Sequence, residues 1–129
     1  MKINGRVIFV VGAIGLAIAF GQIGPAVQAQ ERQALAEKGK CLTCHTIEKD
    51  DLGPAWQKVA NQYQGKKVSS VTLADGSVIV GTPLQVLQKK ISQGGDKDHL
   101  GNKHPPIPAN VSEHEVERLA ELVLALAKK

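Results

Sequence analysis

Cys41-Leu42-Thr43-Cys44-His45, "CLTCH", is the stretch on which the reading of this 129-residue chain turns. The chain has two cysteines, and both are here. A disulfide across so short a loop would constrain the unfolded chain little. Two thiols at this spacing, followed at once by a histidine, match the pattern of covalent haem attachment. Each thiol adds to one vinyl group to give a thioether, and the histidine reaches the iron as its proximal ligand. The motif therefore predicts one haem c, bound through Cys41 and Cys44, with His45 on the metal. The competing readings are a chance match and half of a zinc site completed by His99 or His104.

The N-terminus agrees with that chemistry. Lys2 and Arg6 precede an apolar run, Val7 to Phe20, and Val27-Gln28-Ala29 follow at the positions of a cleavage site. This is the layout of a secretory signal. The run is short for a membrane span, which needs about 20 apolar residues. The expectation is a signal peptide over residues 1–29 and one exported, periplasmic domain over 30–129, with a membrane association only if the signal is kept. Removing Lys2 and Arg6 from the 16 basic residues leaves 14 against 12 acidic ones. That near balance, with no basic run interleaved with aromatics, gives no case for nucleic acid. Past the signal only Trp56 and Tyr63 are aromatic. A domain this small buries a limited core, and a large apolar cofactor would help fill it.

Around the motif the pattern is helical, with one exception. Glu31 to Lys40 reads as a short helix of good helix formers. Pro54 to Tyr63 reads as a second, with Trp56, Val59, Ala60 and Tyr63 on one face. In "VSSVTLADGSVIV", Val68 to Val80, two β-branched runs flank an Asp-Gly turn, so a hairpin is expected. Thr82-Pro83-Leu84-Gln85 opens a third helix with a capping box. Its stripe is Leu84, Leu87 and Ile91, and Gly94-Gly95 ends it. Asp96 to Asn110 is expected to be a loop. A second capping box, Ser112 to Glu115, starts a last helix that presents Val116, Leu119, Ala120, Val123 and Leu126 inward, with Leu122 and Leu124 at the margins.

These residues together resemble the small class I monohaem cytochromes c of the bacterial c551-like group. The resemblance runs from about Leu35 to the C-terminus, apart from the hairpin. It rests on the haem motif, on "LGPAWQKVANQY" (Leu52 to Tyr63), on "KKISQGG" (Lys89 to Gly95) and on "NVSEHEVERLAELVLAL" (Asn110 to Leu126). It implies an all-α fold of about four helices around one covalent haem, here with a small β-hairpin inserted. It also implies that a backbone carbonyl at Pro54 orients the proximal histidine.

The family's distal loop commonly puts an iron-binding methionine nine residues after a Gly-Gly pair, followed by two prolines. In this chain His104 stands nine residues after Gly95 and is followed by Pro105-Pro106, while the sole methionine is Met1. His104 is accordingly the favoured sixth ligand. His99 on the same loop and an open or water-bound iron are the alternatives, and His114 is expected to face solvent. A second imidazole favours ferric iron more than a thioether does, so bis-histidine ligation predicts a lowered potential. No nucleophile–base pair, paired buried carboxylates or phosphate loop is present. The sequence thus points to an electron-transfer protein serving redox partners, not an enzyme. Lys38, Lys40, Lys49 and Lys103 are candidates for steering an acidic partner. The hairpin leaves open a subunit of a larger redox complex, and a detachable histidine leaves open a gas binder.

Overall fold

The computed structural model describes residues 24–98 and 100–128. The positively charged and apolar parts of the expected signal, and His99, lie outside the described residues. Helix α1 spans Pro25–Lys38, α2 Trp56–Tyr63, α3 Pro83–Gln93 and α4 Glu113–Leu124. Two antiparallel pairs accompany them: β1 (Ser69–Thr72) with β2 (Val78–Gly81), and β3 (Gly95–Lys97) with β4 (Lys103–His104). No described helix is long and apolar enough to cross a membrane.

Helix α4 is the centre of the packing and touches all three other helices. Its capping box is formed: Ser112 Oγ accepts from the Glu115 amide, and Glu115 Oε2 accepts from the Ser112 amide. Val116, Leu119, Ala120, Leu122 and Val123 are buried. Leu122 is thus a core residue, not a marginal one. Helices pack on more than one side of α4, so its apolar stripe is wider than a single contact face requires. Helix α3 likewise begins with a formed capping box between Thr82 and Gln85. It buries Val86 beside Leu87 and Ile91, while Leu84 is only partly covered.

Helix α1 begins six residues earlier than the sequence pattern suggests and stops at Lys38. Pro25 fits the first turn, and Ala26 to Gln30 extend the helix without a break. The first ion pair with α4 occurs at Glu31, where the helix was expected to start. There Arg118 donates to both carboxylate oxygens, each at 2.8 Å. Gly39 caps the helix and Lys40 turns left-handed, with φ 57°. Lys40 is therefore part of the turn into the haem motif. At the other end of the same contact, Lys38 Nζ donates to Glu115 at 2.7 Å.

The expected loop 96–110 is partly ordered as the β3–β4 pair, in which Gly95 stands opposite His104. The hairpin at 68–80 forms as expected, with Ser70 opposite Val80 and Thr72 opposite Val78.

The Lys38–Glu115 contact has a definite pH signature. The Lys38 ammonium, then the Ser112 amide, hold the Glu115 carboxyl down to about 2 from its ordinary 4.5. The folded value lies below the unfolded one, so the stabilisation is complete above about pH 4.5 and is lost as pH falls toward 2. Glu115→Gln keeps the capping acceptor and removes the charge. Its thermal midpoint should lie below wild type at pH 7 and converge with it near pH 2, with a smaller gap at high salt.

Candidate functional site

The turn after α1 brings the two cysteines to the mouth of a cavity. Cys41 to Thr43 form a single 3-10 turn, and the amides of Cys44 and His45 both donate to the Cys41 carbonyl. Cys41 and Cys44 form no disulfide and line the cavity with His45 and Pro54. Burial is the main reason the Cys41 thiol titrates above its ordinary range. The cavity measures ≈ 480 Å³, within the usual range for an organic cofactor, about 300–1,000 Å³. Tyr63, Leu87, Ile91, Leu119 and Val123 give it an apolar lining.

One wall holds His45. Its Nδ1 lies 2.7 Å from the Pro54 carbonyl oxygen. A carbonyl only accepts, so Nδ1 carries the proton and Nε2 keeps its lone pair for a metal. The loop that carries Pro54 is fastened to the motif by backbone bonds. Gly53 donates to Cys44 at 2.8 Å, Trp56 to Thr46 at 3.0 Å and Gln57 to Ile47 at 2.9 Å. Gly53 precedes Pro54, and the sequence alone gives it no role. A Cβ there would meet His45 Cε1 at 2.6 Å. Only glycine lets the backbone pass that close to the ring.

The opposite wall holds His104, Pro105 and Pro106. The His45 and His104 ring centroids are 5.9 Å apart and the rings are tilted by 36°. Protein covers His104 Nδ1, which makes no hydrogen bond of good geometry. Its remaining nitrogen, Nε2, is the one left to reach a ligand. Burial foremost, then the nearby charges of His45 and Lys90, lower the His104 imidazole from 6.5 to about 4. The Pro105 backbone, which offers only a carbonyl, opposes this more weakly. The ring is therefore neutral at pH 7 and has a lone pair to give. His114 is exposed on α4, as expected. Among the described residues no three His, Cys, Asp or Glu side chains cluster as a metal cage, which gives the zinc reading no support there.

A clasp joins the two walls at the surface. Asn102 Nδ2 donates to the Leu52 carbonyl at 2.7 Å. The Asp98 carboxylate shapes that loop by accepting from the amides of Leu100 and Asn102. Nothing in the local sequence distinguishes Asn102 from an ordinary loop residue, because its partner lies 50 positions away. Of the four lysines expected to face a partner, Lys38 is committed to Glu115, while Lys40, Lys49 and Lys103 are exposed.

No protein-family model matches the chain. Individual relatives do. It is 33% identical over 96 residues to cytochrome c2 of Rhodocyclus tenuis, covering 74% of this chain and 92% of the relative. It is 32% identical over 118 residues to cytochrome c-551 of Stutzerimonas stutzeri, covering 88% and 90%. The solved structure of wild-type Nitrosomonas europaea cytochrome c552 superposes with a TM-score of 0.56 at 29% identity, over 73% of this chain and 98% of that one. The chain belongs to the class I monohaem cytochromes c. It is accordingly an electron-transfer protein with one covalent haem c, not an enzyme.

The contact at Gly53 yields a test of the proximal wall. Gly53→Ala should push the His45 ring off the Pro54 carbonyl and lower the stability of the holoprotein by about 1–3 kcal/mol, as overpacking does. Thermal unfolding followed at a haem absorption band measures it.

Proposed function

We propose that this protein is an exported, periplasmic electron carrier whose haem is held by Cys41 and Cys44 and ligated by His45 and His104, with a potential lowered by the second imidazole. The signal pattern over residues 1–29 supports export, and covalent haem attachment suits a compartment outside the cytoplasm. The single observation that carries the ligand reading is that the two rings line one cavity and lie close together. Two imidazoles sharing one metal through bonds of about 2 Å each would have centroids roughly 6 Å apart; the observed separation is 5.9 Å. The burial of His104 Nδ1 in protein leaves Nε2 as the atom that would ligate.

When bound, haem supplies reversible one-electron exchange. The chain's own residues do the rest. His45 is held in one tautomer by Pro54, so its donor strength is fixed. His104 supplies a second imidazole, a better donor to the ferric state than thioether sulfur. The apolar side chains of Leu87, Ile91, Leu119 and Val123 exclude water from the cavity. Lys40 lines the cavity, Lys49 and Lys103 are exposed, and the three bias approach toward an acidic redox partner.

Redox titration of the holoprotein and of His104→Met tests this reading. The substitution restores the thioether that the family commonly uses, so the midpoint should rise by a fraction of the about 0.8 V that axial ligands span. An unchanged midpoint together with an unchanged visible spectrum would show that residue 104 is not on the metal.

A further inference from the structure

The strand that carries His104 is too short to hold it unaided. β4 has two residues and β3 three. A two-stranded ladder is at best marginal in water, and a third strand or a packed helix is needed to steady it. The hairpin supplies a third backbone segment beside it. Leu73, the residue after β1, forms a single antiparallel bridge with Gly95. Gly95 in turn stands opposite His104. Next along, the Ala74 amide donates to the Gly94 carbonyl at 3.3 Å. Gly94, at φ +82°, lies so close to both neighbours that a Cβ would fall 2.7 Å from the His104 oxygen and 3.3 Å from the Ala74 side chain. Three backbone segments thus lie side by side, in the order Leu73-Ala74, Gly94-Gly95, His104.

The outermost of the three is itself rigid. Leu73 is only 1% exposed although its neighbours in the turn are open to solvent. Its amide donates to the Ser77 carbonyl at 2.8 Å and its carbonyl accepts from the Gly76 amide at 3.0 Å. Asp75 Oδ1 accepts from both the Ser77 amide and hydroxyl. The two strands behind this turn pack on α3, which runs directly into Gly94. On the far side of His104 the chain is stiffened by Pro105-Pro106 and tied back by the Ile107 amide, which donates to Ile91 at 3.0 Å. Only the side toward Gly95 depends on the hairpin.

We propose that Leu73 and Ala74 are positioning residues for His104. The hairpin braces the distal strand, and its grip sets how often His104 leaves the metal and lets a small external ligand in. This rests on the reading of His104 as the sixth ligand. It also gives the inserted hairpin a task inside the molecule.

The test is carbon monoxide combination with the reduced holoprotein, followed by stopped flow. The proteins compared are wild type, Leu73→Ala, His104→Ala and, as a control, Val116→Ala. Val116 is 2% exposed on α4 and does not line the cavity. Wild type should combine slowly, limited by loss of His104, and His104→Ala fast. Leu73→Ala should combine about tenfold or more faster than wild type, because apparent reactivity scales with the fraction of open sites. Val116→Ala should lose thermal stability yet stay within about twofold of the wild-type rate, since the open fraction is unchanged. Should Leu73→Ala mature poorly, Leu73→Val is expected to shift the rate in the same direction by less. If His104→Ala is fast while the Leu73 variants match Val116→Ala, the brace is wrong and the ligand reading stands. If wild type is already fast and His104→Ala changes nothing, the ligand reading falls and the brace falls with it.

Discussion

One hydrogen bond orders the rest of this structure: His45 Nδ1–H to the Pro54 carbonyl, at 2.7 Å. It fixes the tautomer, the plane of the ring and the direction of the free nitrogen. The backbone around it exists to keep it. Gly53 makes room for the ring, and the amides of Gly53, Trp56 and Gln57 bind the Pro54 loop to the haem motif. Helix α2 then follows with Trp56 against the same imidazole, at 5.9 Å between centroids.

The fold has few means of its own to hold two such walls apart. Its core is aliphatic apart from Trp56 and Tyr63 and is centred on α4, and the ion pairs between α1 and α4 lie at the surface. Solvent and salt screen exposed pairs of this kind, so they orient the terminal helices more than they stabilise them. Covalent attachment at Cys41 and Cys44 would join the cofactor to the chain and let it serve as core. On the proposed reading, His104 then closes the far side. The same class I frame that commonly carries a thioether would here carry two imidazoles, which changes the potential without changing the helices.

Much of this was legible in the sequence because the relevant signals are local. The haem motif, both capping boxes, the Asp-Gly hairpin and the apolar face of α2 each occupy a single short window, and the structure has all of them. Counting from Gly95 puts His104 at the family's ligand position, because the loop between them keeps the family's length, but it does not show that the two residues pair as strands. What stayed hidden depends on distant partners. The Leu73–Gly95 bridge joins residues 22 positions apart, and Asn102 meets Leu52 across 50. Leu122 looked marginal because the width of a buried stripe depends on how many helices cover it. The early start of α1 has another reason: residues 25–30 favour a helix, whereas a signal over residues 1–29 places them before the domain.

The most direct measurement of the central claim is the near-infrared magnetic circular dichroism of the ferric holoprotein, where the charge-transfer band reports the axial ligand pair. The account predicts a low-spin band at the position of bis-imidazole ligation. A high-spin spectrum, or a band at the position of imidazole with water, would contradict it.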